Sequence, residues 1–280
     1  MSQSVQTVLS TTQSMPSVVQ VIGDYSPSMR DHSQRYPDGK LPAQVVADCA
    51  NDAIRKTGIM CMRGNAMRDY IHFGGIGYAD SAQPMWTSAG LPDSLNPISK
   101  YATNIAGETN QPVVVAGEEV PGSSIKTPYW VEPRGIGGGT NAVAGLSAAA
   151  DDLEALSTRF TLTTAVSIHI TDGMFNQGGD PSAAMQRLRS VNTRNGDSVL
   201  FNLYLNPTNT DGPILWPATF AGENYETLLF QQASVLPAYM VSVLQDLGHV
   251  VEPGARAFVM NATGNDILAA ITCGTPQALD

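Results

Sequence analysis

Residues 21–30 read VIGDYSPSMR. They close an apolar run, SVVQVI (17–22), rich in β-branched residues and reading as a buried strand. Gly23 ends the run, and Asp24, Ser26 and Ser28 then follow at every second position. An Asp-x-Ser-x-Ser at the tip of a buried strand has two readings. It is a turn and helix cap, since Asp and Ser side chains bond the backbone just ahead of them. Or it is half of a metal site whose other ligands arrive later in the chain.

Outward from this stretch the pattern alternates. LPAQVVADCANDAIRK (41–56) has an apolar helix face of Leu41, Val45, Cys49 and Ala53 beside Val46, Ala50 and Ile54. DYIHFGGIGYA (69–79) alternates like a strand, and NAVAGLSAAADDLEALSTR (141–159) is helical in period. AVSIHIT (165–171) and DSVLFNLYL (197–205) are further buried strands, with PSAAMQRLRSV (181–191) a helix between them. Two helices broken at Pro237, a strand over 255–262 and a short helix over 265–272 complete the chain. Strand and helix in turn predict an α/β fold: a mostly parallel sheet with helices on both faces. Functional residues then gather at the C-terminal ends of the strands. Asp24 and Asp172 (in SIHITDGMF) both stand at such ends.

Residues 80–134 depart from this rhythm. They are rich in Pro, Gly, Ser and Asn, with PVVVAG (112–117) the clear strand. The expected organisation is a tail over 1–16 and a single domain over 17–280 with an irregular insertion at about 80–134. Trp86, Tyr129 and Trp130 fall in or near it, either as a local satellite core or as a recognition surface beside the metal.

The 280 residues carry a net charge of −10, which argues against a nucleic-acid partner. No polybasic patch and no apolar run of the ~20 residues needed for a membrane helix is present. The 3 cysteines have no metal-ligand spacing, and reduced thiols in a cytoplasmic protein are the expectation, with no signal peptide read at the N-terminus.

Two further stretches change the weight of Asp-x-Ser-x-Ser. GIGGGTNAVAGL (135–146) places Thr140 just before a helix, after Gly138 and Gly139; alone, Thr140 reads as an N-cap. ITDG (170–173) sets Asp172 at the end of a buried strand; alone, it reads as a turn. In this order the three motifs resemble the von Willebrand factor type A (vWA) domain with its metal-ion-dependent adhesion site (MIDAS), from about residue 17 to the terminal AFVMNATGNDILAAITCGTP.

The resemblance implies a Rossmann-like fold with a six-stranded sheet and one antiparallel edge strand. It implies that Asp24, Ser26, Ser28, Thr140 and Asp172 hold a divalent cation, and that a partner protein's acidic residue completes the shell. The chemistry agrees: carboxylate and hydroxyl oxygens are hard ligands suited to Mg²⁺, with Mn²⁺ or Ca²⁺ as alternatives, and no soft ligand is among them. Neutral hydroxyls leave the cation electrophilic. The implied function is a metal-dependent protein–protein interaction module, an adaptor or scaffold rather than an enzyme. More loosely, the chain is similar to intracellular bacterial vWA proteins of tellurium-resistance and stress gene sets, whose partners would be a kinase, phosphatase or ATPase.

The enzyme alternative is a Mg²⁺-dependent phosphate-ester hydrolase using the same strand ends. Against it, a haloacid-dehalogenase nucleophile needs a second acid where this chain has Ser26, and no well-placed lysine holds a phosphate. His32 is close enough to act as a base but reads as a surface histidine. His72 and His169 read as packed strand residues, and Cys273 as packing. Ser26 lacks a Gly-x-Ser-x-Gly setting. GGGTNA (137–142) fits a loose dinucleotide fingerprint, but mid-chain and with Asp151 and Asp152 inside a helix; no Walker ending is present.

Overall fold

The apolar run of 17–22 extends in the structure to a strand over Ser17–Asp24, β1, with all 8 residues buried. A strand covered on both faces reads as a continuous apolar run, and this one sits at the middle of the sheet. The structure is a computed structural model; it describes residues 10–115, 118–135, 138–173, 175–208 and 211–275. After β1 come α1 (Pro42–Met60), β2 (Ile71–Tyr78), β3 (Ala82–Pro84), β4 (Leu95–Pro97), β5 (Gly107–Val115) and β6 (Glu118–Tyr129). The second half holds α2 (Ala142–Arg159), β7 (Ala165–Thr171), α3 (Ser182–Leu188), β8 (Val199–Tyr204), β9 (Ile214–Leu215), α4 (Asn224–Gln232), α5 (Ala238–Asp246), β10 (Phe258–Met260) and α6 (Gly264–Gly274).

The central sheet runs β9-β10-β8-β7-β1-β2-β3, with β4 also paired to β2, and has 8 strands among the described residues. β10, β8, β7, β1 and β2 are mutually parallel. β9 is antiparallel at one edge, and β3 and β4 are antiparallel at the other. The α/β class with a mostly parallel sheet and an antiparallel edge is therefore what folds. The six strands expected become eight because three-residue and two-residue edge strands carry no readable period.

Side-chain alternation along β1 splits the core. Val19 and Val21 pack with α1, α5 and α6 residues such as Ile54, Met240 and Ile267. Val18 and Ile22 pack with α2, α3 and α4 residues such as Leu146, Met185 and Leu229. Each fully buried aliphatic side chain of this kind is worth about 1.5–3 kcal/mol. Cys49, Cys61 and Cys273 are all free and buried, and burial raises each thiol above its usual range. Among the described residues no helix is long and apolar enough to cross a membrane.

The segment 80–134 is more regular than expected. β3 and β4 extend the central sheet, and β5 and β6 form an antiparallel ribbon whose register shifts between Pro112 and Val114. The PVVVAG strand lies within that ribbon, except that residues 116 and 117 are outside the described residues. Trp86 and Trp130 are not a recognition surface: they are 0% and 5% exposed. Both rings pack edge-on against Tyr101. Asn51 of α1 ties the ribbon's end down, accepting from the backbone N–H of Trp130 and Val131 and donating to the Val131 carbonyl. Of the expected tail, residues 1–9 lie outside the described residues, and Thr11 is buried with its hydroxyl 2.8 Å from that of Ser17.

Candidate metal centre

The turn reading of Asp-x-Ser-x-Ser is correct as local structure. The Asp24 Oδ1 accepts from the Ser26 backbone N–H at 2.7 Å, and Pro27 opens a single 3-10 turn over Pro27–Arg30. The turn does not consume the hydroxyls, however. Ser26 occupies the N-cap position without a side-chain capping bond. Its Oγ lies 2.9 Å from Ser28 Oγ, and Ser28 Oγ in turn donates to Asp172 Oδ1 at 2.9 Å. Asp172 follows β7, the neighbour of β1 in the sheet, so parallel pairing brings the two strand tips together.

Thr140 is likewise released from the role its position suggests. Asn141, not Thr140, caps α2, accepting from the Ala144 N–H at 3.0 Å. The loop before it is held from both sides. The Gly139 N–H donates to Asp80 and the Asn141 N–H donates to the Ala79 carbonyl, both just past β2. The Thr140 N–H donates to Asn176 Oδ1 at 2.7 Å, four residues beyond Asp172. Gly138 has φ +126°, and a Cβ there would collide with the Asp80 carboxylate. Only glycine takes this backbone without strain. Asp24, Ser26, Ser28 and Asp172 are thus joined in one cluster, and Thr140 stands on the adjoining loop. Residues 136 and 137 of the glycine stretch lie outside the described residues.

The cluster stores unfavourable charge. Asp24 is fully buried, and burial raises its carboxyl above the usual range against the lowering effect of its hydrogen bonds to Ser26 and Thr171. Burial first, and the neighbouring Asp24 second, push Asp172 up to about 7, opposed by the Ser28 hydrogen bond. Two adjacent carboxylates removed from water call for a counter-charge.

The donor set fits a hard cation. Metal–oxygen distances of ~2.1 Å at octahedral Mg²⁺ put neighbouring ligands about 3.0 Å apart. The 2.9 Å Ser26–Ser28 and Ser28–Asp172 separations match that edge length. Among the described residues no three His, Cys, Asp or Glu side chains converge as a metal site; here hydroxyls make up the balance. Ser26, Ser28 and Thr140 would contribute neutral oxygens, and Asp24 and Asp172 the charge, directly or through water.

The sequence reading missed three supports. Thr171 Oγ1 donates to Asp24 Oδ2 at 2.8 Å; it stands inside the quoted ITDG, but a β-branched residue ending a strand draws no notice. Asp80 and Asn176 act on loop backbone from distant segments, and no spacing announces them. The histidines lie as expected: His32 is exposed, with its ring beside Arg35, and His72 and His169 are buried in strands.

No family model matches the chain, and no curated protein does. Solved structures similar to it include the PilB minor pilin from Streptococcus sanguinis, at 11% identity and TM-score 0.41 over 92% of this chain and 60% of that one. The ArnB paralog VWA2 from Sulfolobus acidocaldarius is 12% identical, with TM-score 0.37 over 82% of this chain and 41% of that one. Proximal thread matrix protein 1 from the mussel byssus is 14% identical, with TM-score 0.37 over 69% of this chain and 36% of that one; one structure of that protein has a zinc-occupied MIDAS motif. The chain spans 36% of the length of the mussel byssus protein, 41% of VWA2 and 60% of PilB. These are likenesses of fold. What the chain itself defines is a Rossmann-like α/β protein with a carboxylate–hydroxyl cluster at the C-terminal ends of its central strands.

Proposed function

We propose that the chain is a vWA-type interaction module that binds a partner protein through a divalent cation held by Asp24, Ser26, Ser28, Thr140 and Asp172. The observation that carries this reading is the joining of two hydroxyls and the Asp172 carboxylate from separate strand ends at octahedral-edge distances, with the Asp24 carboxylate bonded to the Ser26 backbone beside them. Mg²⁺ is the cation that the oxygen donors favour, with Mn²⁺ and Ca²⁺ as alternatives. The cation lends Lewis acidity to a coordination position that an acidic side chain of the partner fills. A scaffold role inside the cell beside a kinase, phosphatase or ATPase, of the tellurium-resistance kind, belongs to this proposal.

The test is retention from native lysate on wild type and on the Asp24→Ala/Thr140→Ala double variant, each with Mg²⁺ and with EDTA. A protein held only by metal-loaded wild type supports the proposal. The same proteins held in all four arms would overturn it. The hydrolase alternative is tested with the same protein: phosphate-ester turnover in wild type that disappears in Asp24→Ala would replace the adhesion reading by an enzymatic one.

A further inference from the structure

The stretch leading into α2 is fastened more heavily than a helix entry needs. Asn141 already supplies the cap of α2, accepting from the Ala144 N–H. Yet each backbone N–H over 139–141 is bonded as well, to acceptors from two other segments. The Gly139 N–H donates to Asp80 Oδ1, and the Asn141 N–H donates to the Ala79 carbonyl at 2.8 Å. The Thr140 N–H donates to Asn176 Oδ1 at 2.7 Å, and the Thr140 carbonyl accepts from the Gln177 N–H at 3.4 Å.

These partners stand on opposite sides. Ala79 and Asp80 follow β2, whose last residue, Tyr78, pairs with Asp24 of β1. Asn176 and Gln177 follow Asp172 past the end of β7. In the sheet β1 lies between β7 and β2. A loop bonded to both flanks must cross the tip of β1, and that tip leads into Asp24, Ser26 and Ser28. The backbone of Thr140 is thus pinned beside the carboxylate–hydroxyl cluster, while its Oγ1 makes no hydrogen bond among the described residues. The Asp80 carboxylate occupies the space that a Cβ at Gly138 would fill, so the glycine is what admits it. Asp80 and Asn176 are both exposed and fill no part of the core. Exposed side chains of this kind can be truncated with little loss of stability.

We propose that Asp80 and Asn176 are positioning residues for the metal centre: they hold Gly139 and Thr140 from the two flanks of β1, so that the free Thr140 hydroxyl is presented to the cation. This rests on the metal reading above. A ligand oxygen on a loop serves a cation well only where the loop is already held in place. Removing supports of this kind typically weakens metal binding about 10–100-fold.

The experiment is Mg²⁺ titration calorimetry on the full chain, with Asp172→Asn as the variant that tests the metal reading itself. Asn176→Ala and Asp80→Ala are each expected to weaken Mg²⁺ binding about tenfold. Asp80→Asn keeps an acceptor oxygen for the Gly139 N–H and loses only the charge; it should stay within about threefold of wild type. In a Thr140→Ala background neither alanine variant should weaken binding further, because the loss runs through Thr140. Amide hydrogen exchange in EDTA gives a readout without metal. The Thr140 N–H should exchange at least about tenfold faster in Asn176→Ala, and the Gly139 N–H in Asp80→Ala, with the amides of α2 unchanged. If Asp80→Ala does not fold, the Asn176→Ala results decide. If Thr140→Ala binds too weakly for the comparison, the exchange rates and the contrast between Asp80→Asn and Asp80→Ala decide. Wild-type affinity in both alanine variants, an undiminished loss in the Thr140→Ala background, or unchanged exchange at Gly139 and Thr140 overturns the proposal. Asp80→Asn as weak as Asp80→Ala makes the carboxylate a charge rather than a support and overturns its part. If wild type binds Mg²⁺, Asp172→Asn does not, and both alanine variants are unchanged, the metal reading stands and the positioning proposal falls. If wild type itself takes up no Mg²⁺, both fall.

Discussion

Millimolar Mg²⁺ raises the melting temperature of the full chain by about 5 °C more at pH 8 than at pH 5, each measured against EDTA. The reason is the protonation of Asp172. Its folded-state value of about 7 lies above the ordinary aspartate value of 3.8. Between those limits the metal-free native state holds a proton that the unfolded chain has released, so stability falls as pH rises. A shift of this size corresponds to about 4 kcal/mol for a fully buried group, and to roughly half that for a partly solvated one. At pH 5 the proton already neutralises the site, and a cation must displace it. At pH 8 Asp172 is ionised, and the cation relieves its burial and the repulsion from Asp24 together.

The difference between the Mg²⁺ and EDTA melts is the quantity to read, not the raw pH profile. His169, held neutral by burial at about 4, acts in the opposite direction. Its unfolded form protonates first as pH falls through ~6.5, so its contribution is complete above that pH and is lost toward pH 4. The two groups partly cancel over the same window. Asp172→Asn separates them: this variant should be more stable than wild type at pH 8 in EDTA, and its melting temperature should no longer respond to Mg²⁺. A Mg²⁺ response equal at both pH values, or surviving in Asp172→Asn, removes Asp172 from the metal centre.

The parts of the site legible in the sequence are those where one residue type at one spacing does the work. β1 announces itself because a strand buried on both faces must be apolar throughout, and Asp24, Ser26 and Ser28 because three oxygen-bearing side chains at alternate positions leave a strand tip on one side. Thr140 was legible as a ligand candidate but not as a residue free to be one. That depends on Asn141 taking the cap of α2, a competition between neighbours that either could win. The roles of Asp80 and Asn176 are products of tertiary assembly, since their partners are backbone groups of a distant loop. The ribbon over 107–129 escaped for a local reason: Pro112, Pro121, Gly122 and Pro128 break its alternation, and an isolated ribbon with a register shift tolerates them where a central strand would not.

The aromatic residues of the same segment show how far composition can mislead, and Trp86 gives the sharpest measurement. Taken as an interface residue, Trp86→Ala should weaken partner binding and leave stability untouched. In the fold its ring is fully buried, set 5.0 Å from Tyr101 at 87° and 6.2 Å from Phe73. The backbone of Gly75 passes close beneath it, where a Cβ would come within 2.5 Å of the indole. The indole N–H donates to the Asp93 carbonyl at 2.7 Å. Truncation loses the transfer energy of the ring, opens a cavity that the rigid β2 edge cannot collapse into, and leaves the Asp93 carbonyl with Asn96 Nδ2 but without the indole donor. Large-to-small changes of this kind cost about 3–5 kcal/mol. That corresponds to a fall of roughly 10 °C in melting temperature for a chain of this size. Trp86→Phe keeps most of the ring and the edge contact with Tyr101 but not the N–H, and should lose about a third as much. An unchanged melting temperature in Trp86→Ala would place the ring at the surface after all and return the 80–134 segment to the role of a recognition face.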